Sequence, residues 1–326
     1  MTAEQSSDQI RKIRLVRIAH VLYKHEDLEK AKQFALDFGF VDVGQRGKTA
    51  YFRGYGTEPF ALGLIASDKS EFGGAAFVVE SEEDLEYASK NLPKECRATE
   101  VHDLDAPGGG KRVTFYDPID GFPFHLVHGQ TPVALEDPGF PALKYNYPIE
   151  KNRPPNQFQR FQKRPAPVHK LGHFGMCVTN FAKALEFYST YFNFFPSEFI
   201  YNDEGVNTSV FFRLDRGDEL VDHHCFFFFE GPKMHVHHSS FETHDFDAQV
   251  LGHDWLRSKG YKNCWGVGRH VMGSQIFDYW YDPAGFIMEH YADGDLLDMR
   301  EPTHYTKAGP GNLHVWGPEL PPTFLT

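Results

Sequence analysis

Residues 172–187 read GHFGMCVTNFAKALEF. An uncharged run ends at Val178, Asn180 stands where a helix cap would stand, and Phe181, Ala184, Leu185, Tyr188 and Phe192 then recur at helical spacing. The stretch predicts a strand followed directly by a helix. The same pattern lies 153 positions earlier, in AHVLYKHEDLEKAKQF at 19–34. There Asp27 precedes a helix whose apolar face is Leu28, Ala31, Phe34, Ala35 and Phe38. His20 to Phe34 and His173 to Phe187 are each 14 positions.

Working outward, each copy continues in the same way. RLVRIAHVLYK, TAYFRG, FALGLIA, GGAAFVVE, RVTFYD and FPFHLVHG predict strands in the first half, with EEDLEYASKNL as a helix. In the second half KLGHFGMCV, SVFFRLD, HHCFFFFE, VHHSSFETH, IFDYWYD and FIMEHYAD predict strands, and DFDAQVLGHDWLRSKG a helix. GGAAFVVE aligns with HHSSFETH and DPIDGFPFHLV with DPAGFIMEHY, both at an offset of 164. A repeat this regular predicts two domains of like fold, α+β in class, each of two βαβββ modules. The expected boundaries are 1–130, a linker at 131–167, 168–292, and a tail at 293–326. The linker is Pro-rich without apolar period, and its Phe and Tyr residues predict packing on the surface. The tail is open to three roles: a lid over the site, a passive strap or an assembly contact.

A length of 326 residues suits two domains, and no apolar run reaches the roughly 18 residues of a membrane span. The N-terminus lacks a secretory pattern. Four cysteines, Cys96, Cys177, Cys225 and Cys264, form no C-x-x-C pair, which fits a reducing, cytoplasmic setting. A net charge of −12 argues against a nucleic-acid backbone as partner. With 31 Phe and 18 His, the chain combines an aromatic interior with ample material for metal or acid–base chemistry.

His173, His238 and Glu289 stand out as a metal triad. Two lie at equivalent places on the first strands of consecutive modules, and the third lies on the last strand of the second. Two imidazoles and a carboxylate hold a divalent ion on one face and leave positions open for substrate and O₂. The first half has His20, Gly74 and His125 at these places, so metal is expected in the second half alone.

GHFGMCV, HHCFFFF, MHVHHSSFE, GRH, DYWYDPAG and GFIMEHY resemble the type I extradiol ring-cleaving dioxygenases of the vicinal oxygen chelate superfamily. The resemblance covers the second half closely and the first half loosely. It implies Fe(II), with Mn(II) accepted by the same ligands, and His173, His238 and Glu289 as those ligands. It implies a second-sphere acid–base residue at His224 and two further active-site residues, His270 and Tyr279. The implied reaction cleaves a catechol-type ring beside its vicinal hydroxyls and incorporates both atoms of O₂. The implied assembly is a homo-oligomer.

Each position has a plainer reading. His237 rivals His238 and His223 rivals His224, and strand alternation allows only one of each pair to face the site. His270 could hydrogen-bond backbone alone, and Tyr279 could be core. His235, His244 and His253 read as surface, Phe226–Phe229 as a buried strand, and Cys177 and Cys225 as apolar fillers. A glyoxalase or epimerase on the same fold would use a fourth ligand, for which Glu230 is the nearby carboxylate. A metal-free binding module accounts for the first half but leaves the triad without a purpose.

Overall fold

The computed structural model describes residues 10–140, 142–309 and 311–325. Four βαβββ modules follow one another. The first is β1 (Leu15–His25), α1 (Leu28–Phe38), β2 (Val41–Arg46), β3 (Thr49–Arg53) and β4 (Leu62–Ala66). The second is β5 (Glu71–Val79), α2 (Glu82–Asn91), β6 (His102–Asp103), β7 (Lys111–Tyr116) and β8 (Pro123–His128). The third is β9 (Val168–Val178), α3 (Phe181–Tyr191), β10 (Phe194–Tyr201), β11 (Asn207–Leu214), a short β12 (Val221–Asp222) and β13 (Phe226–Glu230). The fourth is β14 (His235–Thr243), α4 (Phe246–Ser258), β15 (Asn263–His270), β16 (Ile276–Tyr281) and β17 (Ile287–Ala292). The tail adds β18 (Leu296–Leu297), β19 (His304–Lys307) and β20 (His314–Trp316).

The first two modules form one sheet in the order β2-β3-β4-β1-β5-β8-β7-β6. The last two repeat it as β10-β11-β13-β9-β14-β17-β16-β15, with β19 and β20 added at the two edges. Strands β1 and β9 begin at 15 and 168, 153 positions apart, as do α1 and α3. Strands β5 and β14 begin at 71 and 235, 164 apart, as do β8 and β17. Both offsets found in the sequence are therefore offsets of the fold. Helix caps follow the sequence too: Asp27 accepts from Lys30 N and Asn180 from Lys183 N.

Three strands of six or more residues and the tail pairing escape a reading by hydrophobic pattern. Strand β2 is an exposed edge, so it carries little apolar signal. Strand β10 contains Pro196 beside a bulge, and β15 contains Gly266 and Gly268 beside one. The tail strand β19 lies parallel to β10, and β20 antiparallel to β15. HHCFFFFE is a strand only from Phe226; His223 to Cys225 form a bend.

One hydrophobic cluster takes residues from both sheets, Phe77 and Phe124 from the first and Phe174 and Phe226 from the second among them. Phe124 and Phe174 lie 5.6 Å apart, edge to face. Polar ties reinforce it. The Asn193 amide donates to Leu15 O and its oxygen accepts from Leu15 N. The Tyr23 hydroxyl meets Ser239 Oγ at 2.7 Å. The segment at 131–167 lies along this body, with Phe140 buried and the Tyr145 hydroxyl donating to Asp247 of α4. Arg213, fully buried, donates to Ser197 Oγ and to the Glu301 carbonyl, which anchors the start of the tail. No helix among the described residues is long and apolar enough to cross a membrane.

Candidate metal centre

Strand β14 runs between β9 and β17, and this explains the meeting of three distant residues. Ser240 on β14 is paired with His173 on one side and with Glu289 on the other. Directly paired residues point to the same face of a sheet, and so does His238, two positions before Ser240. The three side chains therefore rise from three adjacent strands around one point. His173 Nε2 and His238 Nε2 are 3.1 Å apart, and Glu289 Oε2 lies 3.2 and 3.3 Å from them.

Glu289 is entirely buried, yet among the described residues no donor reaches either of its carboxylate oxygens with hydrogen-bond geometry, although the Tyr279 hydroxyl interacts with it. The imidazoles approach it in distance but not in donor direction. Burial opposes ionisation of Glu289, but the facing imidazoles of His173 and His238 outweigh it and hold the group well below the usual carboxylate range. A buried carboxylate without donors is costly unless a cation compensates it. Two imidazole nitrogens and one carboxylate oxygen, converging from one side, fit a divalent cation. Among the described residues this is the one such cluster.

The other expected site residues surround it. His224 lies against His173, with ring centroids 4.2 Å apart, and lines the adjoining cavity. His223 sits behind it, Nδ1 to Nδ1 at 3.1 Å, with its backbone held by Ser197 and Asp295. Burial, then the neighbouring His173 and His223, push His224 well below the usual imidazole value, so it is neutral in the folded chain. Tyr279 is paired with Glu289 across β16 and β17. His270 Nδ1 contacts the Leu313 carbonyl at 2.7 Å, and its Nε2 meets the Tyr279 hydroxyl at 2.8 Å. Burial lowers His270 to about 4; the neutral ring donates to Leu313 and accepts from Tyr279.

Strict alternation fails at His237. A bulge between Val236 and His238 brings both neighbouring rings into the same cavity. His238 Nδ1 and His237 Nδ1 are 2.7 Å apart, and His237 Nε2 lies 2.5 Å from the Phe324 carbonyl. With His238 turning Nε2 to the triad, its Nδ1–H donates to His237 Nδ1, and His237 Nε2–H donates to Phe324 O. His237 is therefore not a rival of His238 but a link from it to the tail. The paired histidines in the sequence were the available signal; the role of Phe324 had none.

Three plainer readings also change. His253 is not on the surface: its Nδ1 lies 3.0 Å from Asp278, which is fully buried. His235 is half-buried. Phe227 and Phe229 face the cavity, whereas Phe226 and Phe228 enter the core. Glu230 accepts from Phe181 N at the start of α3, 2.8 Å away, and takes no part in the triad.

The cavity beside the triad has a volume of about 590 Å³. The sheet supplies one wall and the tail, from Lys307 to Leu325, supplies another. Phe324 is buried against His237, His238, Trp265 and Tyr279.

Residues 170–289 match the family model of the glyoxalase/bleomycin resistance protein/dioxygenase superfamily. Metapyrocatechase 2 of Cupriavidus necator is 30% identical over 121 residues, which span 34% of this chain and 38% of that protein. The fold is similar to that of a Mn(II)-bound glyoxalase from Novosphingobium aromaticivorans, with TM-score 0.76 and 22% identity over 96% of this chain and 98% of that one. It is also similar to homoprotocatechuate 2,3-dioxygenase from Arthrobacter globiformis, with TM-score 0.78 and 20% identity over 97% and 92% of the two chains.

Proposed function

From the vicinal oxygen chelate fold and the superfamily match over 170–289, we propose that this chain is an extradiol dioxygenase. Its substrate would be a catechol-type ring, its co-substrate O₂, and its metal Fe(II), with Mn(II) able to occupy the same donors. The observation that carries the reading is the buried carboxylate of Glu289, met by no donor with hydrogen-bond geometry among the described residues, facing two imidazoles at the wall of a cavity that also holds His224, His270 and Tyr279.

His173, His238 and Glu289 would hold the metal, which when bound supplies a Lewis-acidic, redox-active centre with positions open to two vicinal substrate oxygens and to O₂. The rest is the work of the protein. His224, neutral and within the cavity, takes the proton of the second phenolic hydroxyl and returns one later in the cycle. Tyr279, positioned by His270, orients oxygen atoms of the substrate. His237 fixes which nitrogen of His238 faces the metal. Overall the ring carbon–carbon bond beside the hydroxyls breaks, both atoms of O₂ stay in the product, and no external reductant is consumed.

The similarity to a glyoxalase over nearly its whole length supports a second reading. The fourth ligand expected for it, Glu230, is instead committed to the N-terminus of α3. The test is anaerobic loading with Fe(II), then a panel of catechols with O₂ uptake and absorbance recorded. The expected outcome is one O₂ consumed per catechol with a yellow ring-opened product, and no reaction of a methylglyoxal–thiol adduct. Turnover of the adduct with no O₂ uptake would favour the glyoxalase reading.

A further inference from the structure

We propose that the ring cleaved here carries a bulky uncharged substituent rather than a carboxylate. This rests on the dioxygenase reading above and concerns the ring positions that the triad does not engage. The cavity of about 590 Å³ falls among those that take drug-sized molecules, and a bare single-ring diol would leave much of it to water. Beyond the triad its walls are Ile200, Phe211 and Phe227 from the strands and Leu313, Leu320 and Phe324 from the tail.

The charges are as telling as the apolar walls. Among the described lining residues Lys307 is the one lysine or arginine. Its side chain is 55% exposed, and its ammonium is paired with Asp203 at 3.0 Å. Glu230, also on the lining, has the sign of a substrate carboxylate and would repel it. His237 and His270 already contact the carbonyls of Phe324 and Leu313. Ser209 and Gln275 are neutral. A substrate carboxylate would thus lose its water and find, among the described lining residues, no cation other than Lys307, which is paired with Asp203, whereas an aryl or alkyl group would bury apolar surface.

The experiment uses the Fe(II)-loaded chain. Anaerobic titration calorimetry and then O₂ uptake are recorded with 2,3-dihydroxybiphenyl, 4-tert-butylcatechol, catechol, 3,4-dihydroxyphenylacetate and 3,4-dihydroxybenzoate. The first two should exceed the last two by roughly a hundredfold in both affinity and kcat/KM, with catechol between. Carboxylated catechols that bind or react as well as the apolar ones overturn the inference. If the catechols bind but none consumes O₂, the dioxygenase reading fails, while the order of affinities still decides this inference. If none binds, both fail. Leu320→Arg places a cation on the tail wall, away from the triad, and should narrow the gap at least about tenfold while metal content holds. An unchanged gap in that variant means this wall does not set the preference, which also overturns the inference.

Discussion

The two halves of this molecule have the same sheet order and almost the same strand boundaries, and they use their donor atoms differently. In the second half His173, His238 and Glu289 turn their ligand atoms toward one another, and among the described residues no donor meets the carboxylate with hydrogen-bond geometry. In the first half the equivalent positions are His20, Gly74 and His125. His125 meets Thr114 Oγ1 at 2.9 Å and the Gly73 carbonyl at 3.0 Å, so its nitrogens are spent. His20 packs its ring on Phe60 with centroids 4.1 Å apart. Gly74 supplies no ligand, and the space a side chain would take is filled by His125. A scaffold of this kind therefore creates a location, and the residues that face it decide whether the location is a core or a site.

The largest break in the comparison is removal of a donor. His173→Ala, His238→Ala and Glu289→Ala should each abolish stoichiometric metal binding, measured by elemental analysis after anaerobic Fe(II) loading. His20→Ala and His125→Ala should leave the metal content unchanged. Metal lost from the first-half variants, or retained in all three second-half variants, would overturn the assignment of the two halves.

Next comes His224, proposed above as the proton carrier. His224→Phe should keep the metal and lose about 10²–10⁴-fold in turnover. His223→Phe, which removes a partner behind His224, should cost less. Metal content and rate must be read together in both. Loss of metal from His224→Phe would make it a ligand. A crippled His223→Phe beside a near-normal His224→Phe would exchange their roles.

Much of this was legible in the sequence because the repeat carries it. The offsets of 153 and 164 residues fall on strand and helix starts. His173 and His238 converge from equivalent places on the first strands of consecutive modules, and Glu289 joins them from the last strand of the second. What could not be read has local causes. The bulge at Val236–His238 defeats the period-two rule and turns His237 from a rival into a link. Strand β2 is a solvent edge whose apolar alternation stops after Val41 and Val43, and β10 and β15 are interrupted by Pro or Gly. The tail has no repeat partner in the first half, so nothing in the sequence announced that Phe324 would lie against two histidines of the site.

That tail sharpens the comparison, since it is the element that the first half lacks. Phe324→Ala removes a buried ring from the cavity wall without touching the Phe324 carbonyl that His237 contacts. It should raise KM severalfold and leave metal content intact. His237→Phe removes the link itself and should lower metal affinity about 10–100-fold, read from competition with a chelator. Equal metal affinity in His237→Phe and the parent chain would reduce His237 to packing. In the first half, Gly74→Ala tests why no ligand can simply be restored there. Its φ of +116° disfavours any side chain, and an added Cβ would meet His125 Nε2 at 2.6 Å. A loss of about 1–3 kcal/mol is expected in urea unfolding, and a neutral result would mean that the first-half strand relaxes freely.

The last test is a matter of protons. Burial, followed by the charge of Arg112, lowers His125 from 6.5 to about 4, and the Gly73 carbonyl opposes this only in part. The unfolded chain takes up a proton at this residue as the pH falls through 6.5, whereas the folded chain resists until about 4. Its contribution to stability is therefore complete above pH 6.5 and is lost as the pH falls toward 4, by up to about 3 kcal/mol. His125→Gln replaces the imidazole with a group that does not titrate. Urea unfolding of the two chains, from pH 7 down to 4, should show the variant losing less stability with acid, by a slope of about one proton in that window. The first half would then be a place where an imidazole is kept neutral by burial and hydrogen bonds alone. Parallel pH profiles for the two chains would mean that His125 reaches water in the folded state, and that the first half is less closed than its packing indicates.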